Sequence, residues 1–395
     1  MLRSGRLSYN YTMTPMNKSP LQSCLLVFLV LFLIHHLAYP IQSQSTSDSI
    51  AEVISYDDGP HVYWQDDSTA VVIDFVDGEF VSRELPNQSD LTFKGIGAND
   101  TITYKLHPQL NIIQPEIMNG ISKILALSDI HGEYGYFVEF LQKINMIDSA
   151  RHWTWGNGHL VIVGDVFDRG DRVTECLWLI YQLETEARDA GGAVHYLLGN
   201  HELMIIRNDL RYVNEKYLGG ISRRNRINYA DLFGPDMELG RWLRSKNTVV
   251  RLNDILFVHG GLSPELIDSA FSISEVNHRI RELIDLPAPE LLFNQRSMFL
   301  AKSLGPLWYR GYHIAMEGRY EKATSAQVDQ ILKYFEADAI VVGHTEVDSV
   351  LSLYDARVYA VDIPFEEIHS LEALLWNDSG YYRVTGSGEL RPLRP

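Results

Sequence analysis

The sequence predicts a layered α/β fold, and two patterns in its 395 residues indicate it. Five short, nearly all-apolar runs, several of them rich in β-branched residues, are typical of strands that are buried on both faces. Apolar residues at helical spacing follow two of these runs, and alternating strands and helices favour helices packed on a sheet. The runs span residues 124–127, 159–163, 194–198, 255–258 and 339–342.

The composition bounds the class of protein. An apolar content of 46% and a charged content of 22% are typical of a soluble globular protein, with room for one large domain and additions or for two domains. The formal net charge of −17 argues against a nucleic-acid partner. The only cysteines are Cys24 and Cys176, which excludes a disulfide framework and a cysteine-based zinc site.

Residues 1–45 have the pattern of a secretory signal segment. The apolar run at 25–34 is too short for a comfortable transmembrane helix, and small or polar residues follow it at Ala38 and at 43–45. We expect cleavage there, with an uncleaved anchor as the alternative. The sequence therefore predicts an exported protein, periplasmic or secreted, with no stable membrane insertion after cleavage.

Residues 46–118 are predicted to form a small β-rich module. Strand-like pieces lie at 61–64, 70–76 and 101–106, and residues 76–79 (Val-Asp-Gly-Glu) are typical of a hairpin turn. No residue in this module indicates chemistry. We expect it to pack on the main domain and to have a structural role.

The main domain is predicted to span residues 119–395. Two segments at about 203–252 and 264–306 interrupt the alternation of strands and helices, and we expect them to be helical caps over a cleft. Cys176 lies on the apolar face of a predicted helix and should be buried in the core. The run at 222–226 contains three arginines, which fit either a phosphate site or, as we favour, a solvated helix face.

Each apolar run ends in a residue of a metal-ligand type. Ligands of open α/β sheets bind beyond the carboxyl ends of the strands, so we expect these side chains to meet there. Imidazoles, carboxylates and an amide suit Mn, Fe or Zn, and six groups with one shared carboxylate suit two divalent or trivalent ions about 3.5 Å apart. One such residue alone would be typical of a core or a turn. The six predicted ligands are Asp129, His131, Asp165, Asn200, His259 and His344.

The motifs around these ligands resemble those of the calcineurin-like metallophosphoesterase superfamily. They are Asp129-x-His131, Gly164-Asp165-x-x-Asp168-Arg169-Gly170, Gly199-Asn200-His201-Glu202, His259-Gly260-Gly261 and Gly343-His344-Thr345. The versions with Arg169 and Glu202 are similar to the phosphoprotein phosphatase branch. The motif at 307–311 (Leu-Trp-Tyr-Arg-Gly), the β-rich module and the secretory start are similar to bacterial Shewanella-like protein phosphatases of the secreted cold-active tyrosine phosphatase type.

The resemblance covers about residues 122–362 and implies a sheet sandwich flanked by helices. It assigns one metal ion to Asp129, His131 and Asp165, and a second ion to Asp165, Asn200, His259 and His344. It also implies that His201 is the general acid, that Asp168 orients it, and that Arg169 and Arg310 bind phosphate, for which planar bidentate donors are suited. The longer C-terminal regulatory and toxin-binding features of the eukaryotic phosphatases are not found in this sequence, which leaves regulation open.

The predicted function is hydrolysis of phosphorylated protein side chains by in-line attack of a hydroxide that bridges two metal ions. A symmetrical dinucleoside polyphosphate hydrolase would use similar motifs, but the secretory start argues against it. A non-catalytic, metal-stabilised binding protein is the third hypothesis. It would not need His201, Asp168, Arg169 and Arg310. The sequence sets no oligomeric state.

Overall fold

The structure, a computed structural model, describes residues 56–66, 69–85, 105–107, 111–291, 294–365 and 371–393. The predicted signal segment at 1–45 lies outside these residues, as does most of the strand expected at 101–106. Within the described part of the chain, no helix has both the length and the apolar composition needed to cross a membrane.

Strands and α-helices alternate through much of the described chain. The strands are β1 (Asp58–Trp64), β2 (Ala70–Val76), β3 (Glu79–Leu85), β4 (Ile117–Met118), β5 (Lys123–Leu127), β6 (His159–Ile162), β7 (Ala193–Tyr196), β8 (Val249–Leu252), β9 (Ile255–Val258), β10 (Ala339–Val342), β11 (Leu351–Leu353), β12 (Val358–Ala360), β13 (Glu372–Asn377), β14 (Gly380–Thr385) and β15 (Leu390–Pro392). The α-helices are α1 (Tyr134–Lys143), α2 (Val173–Asp189), α3 (Asn200–Ile206), α4 (Glu238–Arg244), α5 (Pro264–Asp268), α6 (Ile273–Asp285), α7 (Ala288–Leu291), α8 (Gln295–Leu300) and α9 (Ser325–Tyr334).

Two six-stranded sheets carry the site. One has the order β11-β12-β10-β9-β8-β4 and the other has the order β15-β14-β13-β5-β6-β7. The neighbours β5, β6 and β7 are parallel, and so are β9, β10 and β12. Their carboxyl ends therefore lie at common sheet edges, where the predicted ligands follow. All five predicted apolar runs form strands.

The strands alternate between two buried faces. In β5, Ile124 and Ala126 join one core cluster with Phe257 and Val341 of the other sheet. Leu125 and Leu127 instead join a second cluster that contains residues of α1 and α2. This period of two is what a strand buried on both faces requires. The result is the predicted layered sheet sandwich flanked by helices, and Cys176 is fully buried in α2 as expected.

The described part of the β-rich module contains the antiparallel sheet β1-β2-β3, whereas β4 at its end pairs with β8 in a sheet of the main domain. Asp77 and Gly78 connect β2 to β3 with φ of 52° and 78°, the left-handed conformation that a two-residue hairpin loop favours. Arg224 and Asn225 donate hydrogen bonds to the backbone carbonyls of Asp77 and Gly78. The basic run at 222–226 therefore contacts this turn, a role that neither of its two interpretations included.

The two predicted cap segments differ from the structure in part. The first contains a π-helix (Lys216–Arg223), a 3-10 helix (Tyr229–Phe233) and α4, but it ends in β8, which belongs to a sheet. The second contains α6, whose Ile280 and Leu283 pack in one cluster with Leu256 and Val258 of β9. Much of the second segment is therefore an outer helical layer. A strand of only four residues gave too weak a period to separate β8 from its helical surroundings.

Candidate metal centre

The predicted ligands meet at the carboxyl ends of the central strands. Nε2 of His259 lies 3.1 Å from Oδ2 of Asp165 and 2.9 Å from Oδ1 of Asn200. Nε2 of His131 lies 3.7 Å from Oδ1 of Asp129. The backbone N–H of His344 donates to Oδ2 of Asp129 at 3.1 Å. All six predicted ligands are therefore gathered at one buried place.

Asp165 is the member that two groups of potential ligands share. One ligand atom each from His131, Asp165 and His201 lies within 4.8 Å of the others, and the same holds for Asp165, His259 and His344. Burial opposes ionisation of Asp165, but the charges of His259 and His201 hold its pKa well below the usual range. A carboxylate between two groups of ligands has the position that a bridge between two ions needs.

The free nitrogen atoms of the imidazoles fit a cation. Nδ1 of His131 donates to the Phe167 carbonyl at 2.6 Å, and Nδ1 of His259 donates to the Val163 carbonyl at 2.7 Å. When the ring is neutral, these bonds keep the proton on Nδ1 and leave the lone pair of Nε2 for a cation. Among the described residues, Nε2 of His131 and of His344 has no hydrogen-bond partner although it is buried. Such atoms are costly unless a ligand binds them.

Burial also keeps two of the imidazoles neutral. It lowers the pKa of His131 to about 3 and, with the nearby charge of His259, lowers the pKa of His344 well below its usual value. His259 differs, because Asp165 and Asp129 outweigh the effect of burial and raise its pKa to about 10. Two divalent or trivalent ions in this cluster would take the place of that imidazolium charge, since neutral imidazole is the metal ligand. The donor set therefore fits the predicted ions.

The backbone of the site is strained at four of the six predicted ligands and at two residues beside them. Left-handed φ values between 47° and 71° occur at Asp129, His131, Asp165, Asp168, Arg169 and His344. This region costs a residue with a side chain about 1–2 kcal/mol. Gly164 also has a positive φ, and a Cβ there would come within 2.7 Å of Nδ1 of His259 and of Cα of Gly199. Sharp turns and one close glycine contact thus place the ligands.

His201 and Asp168 form a buried pair beside the ligands. Nδ1 of His201 donates to Oδ2 of Asp168 at 2.5 Å, and its Nε2 lies 3.8 Å from Oδ2 of Asp165. Burial opposes the charged imidazolium, but Asp165 and Asp168 outweigh it and raise the pKa of His201. Burial likewise outweighs the bond from His201 and raises the pKa of Asp168. The pair therefore holds a proton, with Nε2 directed toward the shared carboxylate.

Arg169 and Arg310 lie in different pockets beside the cluster. Arg169 lines a pocket of about 320 Å³ together with Asp129 and His131. Arg310 lies in a groove of about 770 Å³, where its guanidinium is 3.4 Å from Nδ1 of His344. The structure thus brings all ten predicted site residues together, while their individual roles stay predictions.

Two further acidic residues belong to the site and were not predicted. Glu202 was used in the sequence analysis only as part of a family motif. It is fully buried and accepts hydrogen bonds from the backbone N–H groups of Asp165 and Val166. It lies three residues after the N-cap Gly199 and accepts the N–H of that glycine at 2.6 Å, but glycine has no side chain to complete a capping box, so the sequence carries no such signal here. Asp362 lines the Arg169 pocket, where burial and the charges of Asp129 and Asp165 raise its pKa well above the usual value. It follows β12, just as the predicted ligands follow their strands.

The comparisons with known proteins agree with this geometry. The family model for calcineurin-like phosphoesterases matches residues 122–348. Shewanella-like protein phosphatase 1 of Plasmodium berghei is 30% identical over 228 residues, which cover 58% of this chain and 62% of that protein. Shewanella-like protein phosphatase 2 of Arabidopsis thaliana is 30% identical over 204 residues, which cover 41% of this chain and 52% of that protein. The chain thus spans less than two thirds of both relatives.

One solved structure is similar over nearly its whole length. The cold-active protein-tyrosine phosphatase of a psychrophilic Shewanella species is 37% identical, with a TM-score of 0.79, and the match covers 86% of this chain and 99% of that one. The sheet sandwich, the gathered donor set and the match to more than half of the residues lead to one conclusion. The chain belongs to the calcineurin-like phosphoesterase family, as its motifs predicted.

Proposed function

We propose that the chain is a metal-dependent phosphatase that hydrolyses phosphorylated protein side chains. The observation that carries this proposal is the set of groups around Asp165. A shared carboxylate lies among buried imidazoles, Nε2 of His201 faces it at 3.8 Å, and Arg310 lies beside the ligand His344. These are the parts that phosphoryl transfer needs, namely donors for the phosphate oxygens and a proton for the leaving group.

Two metal ions, for which Mn, Fe and Zn are suitable, belong to this proposal. Asp129, His131 and Asp165 would hold one ion, and Asp165, Asn200, His259 and His344 would hold the other. When bound, such ions supply Lewis-acid stabilisation of phosphoryl oxygens and a water with a lowered pKa.

The side chains of the protein then divide the remaining work. Arg169 and Arg310 bind phosphate oxygens with bidentate hydrogen bonds, and among the described residues neither guanidinium forms an ion pair that would occupy it. In-line displacement leaves an alkoxide or a phenolate, which must be stabilised or protonated. His201 donates that proton from Nε2, because Asp168 accepts the hydrogen bond of its Nδ1.

A protein substrate is supported by two observations. The groove beyond Arg310, at about 770 Å³, is larger than one phosphorylated side chain requires. The similar proteins of Plasmodium berghei, Arabidopsis thaliana and Shewanella carry names of protein phosphatases. A symmetrical dinucleoside polyphosphate hydrolase remains the second candidate function. The apolar run at 25–34 with polar residues after it supports export, which we propose as well, to the periplasm or the medium.

A substrate panel tests this function. Protein reconstituted with Mn²⁺ is assayed with phosphotyrosine, phosphoserine and phosphothreonine peptides, with para-nitrophenyl phosphate and with diadenosine tetraphosphate. We expect at least one class of phosphopeptide to have a higher kcat/KM than the dinucleotide. A higher value for diadenosine tetraphosphate than for every peptide would favour the second function. No turnover of any substrate by protein that holds its metal would indicate a binding protein.

A further inference from the structure

The ligand cluster opens on two sides that differ in charge. On the side of Arg169, the pocket is lined by the carboxylates of Glu133 and Glu346 in addition to the ligand Asp129. On the side of His344, the groove is lined by Lys302, Arg310 and Arg319, and no described residue of its lining is acidic. The charges therefore favour one orientation of a bound substrate, because an anionic segment is repelled on one side of the site and attracted on the other.

We call this groove, defined by Lys302, Arg310 and Arg319, the basic groove. Among the described residues, its three cations have no carboxylate partner. Over the ranges that the structure describes, none of the three forms an ion pair, whereas Arg296 is bound to Glu275 and Arg357 to Asp329. The chain has 34 basic and 51 acidic residues, so carboxylates are in excess. Three unpaired cations that line one concave surface of an acidic chain are therefore available to bind an anionic ligand.

Apolar side chains complete the basic groove and join it to the ligands. Leu304, Trp308 and Met316 line it and are partly exposed. The ring of Trp308 stands edge-on to His344 with 5.9 Å between ring centroids. Lys302 and Arg319 are exposed. An aromatic wall beside exposed cations suits an extended polypeptide that carries both acidic and apolar residues.

We propose that the basic groove binds acidic side chains that flank the phosphorylated residue of a polypeptide substrate. The proposal rests on the proposed phosphatase function and adds the substrate class. The phosphate reaches the ligands and Arg310, and the flanking carboxylates contact Lys302 and Arg319. The carboxylates that line the Arg169 pocket repel acidic residues of the substrate. The acidic residues of a good substrate therefore lie on only one side of the phosphoresidue.

The test compares three phosphopeptides that share one phosphoresidue. One has glutamates on its amino-terminal side, one has them on its carboxyl-terminal side, and one has alanines. We expect one acidic peptide to exceed the alanine peptide in kcat/KM by on the order of tenfold, the scale of a pair of exposed ion pairs. Added salt should reduce this preference. Lys302→Glu/Arg319→Glu should abolish it and leave para-nitrophenyl phosphate hydrolysis unchanged, which also reports an intact fold.

The matched control is Lys333→Glu/Arg391→Glu, which changes the net charge equally at exposed positions outside the groove. It should keep the preference for the acidic peptide. Equal kcat/KM for all three peptides in the unchanged protein would overturn the proposal. So would an equal loss of preference in the control, because net charge alone would then explain it.

Binding of a non-hydrolysable phosphonate version of each peptide separates this proposal from the proposed function. Fluorescence anisotropy reports its affinity for the metal-loaded protein without turnover. If the acidic phosphonate binds through Lys302 and Arg319 but no phosphopeptide is hydrolysed, the phosphatase function fails and the basic groove stands. If peptides are hydrolysed but all phosphonates bind equally, the groove fails and the function stands.

Discussion

The buried carboxylate of Glu202 holds the backbone of Asp165 in place. Its Oε2 accepts hydrogen bonds from the N–H groups of Asp165 at 2.9 Å and of Gly199 at 2.6 Å. Its Oε1 accepts from the N–H of Val166 and from the hydroxyl of Tyr196, each at 2.8 Å. One side chain thus ties the loop after β6 to the loop after β7. The position of Asp165 thus depends on a residue whose two carboxylate oxygens each already accept at least two hydrogen bonds.

Glu202→Gln should therefore destabilise the protein and weaken its metal centre. The amide would direct an N–H group at backbone donors and leave them without an acceptor, which costs about 1–3 kcal/mol of unfolding free energy. Urea unfolding and elemental analysis measure the two effects. Glu84→Gln, at an exposed position of β3, is the control and should change neither quantity. Unchanged metal content in Glu202→Gln would show that the loop after β6 keeps its shape without this carboxylate.

That the predicted ligands lie close together could be inferred from the sequence, because their positions follow from local rules. A run of apolar residues predicts a buried strand, and a polar residue at its end lies at the sheet edge. This rule alone was enough to place Asp129 and His344 at the sheet edge. The family and the fold class that their motifs predicted are confirmed. Asp362 follows the same rule after β12, but that strand has only three residues and gave a weak signal.

Other parts of the site depend on contacts that sequence spacing does not encode. Glu202 contacts the N–H of a residue 37 positions earlier, and nothing in a one-dimensional pattern shows that distance. Arg224 contacts Asp77 over 147 positions, so the basic run could not be distinguished from a solvated face.

Asp165→Asn should lose both metal ions, whereas Asn200→Ala should lose mainly one. Asp165 belongs to both groups of potential ligands, and neutralising it removes charge that two cations share. Oδ1 of Asn200 lies 2.9 Å from Nε2 of His259, which is predicted to hold the second ion only. Elemental analysis of the purified variants gives the number of ions per chain. Equal losses in the two variants would mean that Asp165 is not the bridge.

Arg310→Ala should raise KM and lower kcat/KM for phosphomonoesters by about two orders of magnitude. Among the described residues, the hydrogen bonds of this side chain are long, 3.4 Å to His344 and 3.5 Å to Thr345, so its hydrogen-bonding capacity is available to phosphate. Loss of one charge-assisted bidentate contact costs about 1.5–3 kcal/mol. Arg310→Lys is the matched variant and should recover only part of the activity, because lysine lacks the planar fork. Unchanged kinetics in Arg310→Ala would exclude phosphate binding by this residue.

The mature protein should begin between about residue 38 and residue 48. The apolar run at 25–34 and the polar residues after it have the order that signal peptidase substrates show. N-terminal sequencing of protein from an exported fraction measures the start. A membrane-bound protein that retains the apolar run at 25–34 would contradict cleavage and support the anchor.

His201 has the geometry of a general acid, and its replacement tests that role. Its Nδ1 is held by Asp168 at 2.5 Å, so Nε2 alone is directed at the cluster, 3.8 Å from Oδ2 of Asp165. The alternative is a residue that only orders the loop after β7, since its backbone N–H also donates to Asp165 at 3.0 Å. The backbone bond survives a change of side chain, whereas proton donation does not.

His201→Asn should therefore keep both metal ions and lower kcat by a factor on the order of 10²–10⁴, the usual span for acid–base groups. The loss should be smaller for para-nitrophenyl phosphate than for a phosphoserine peptide. Nitrophenolate leaves with little help from a proton, whereas a serine alkoxide needs to be protonated as it leaves. His278→Asn, an exposed histidine on α6, is the control and should match the unchanged protein on both substrates. Equal losses on the two substrates, with metal content retained, would remove His201 from the general-acid role and leave it as a residue that orders the loop.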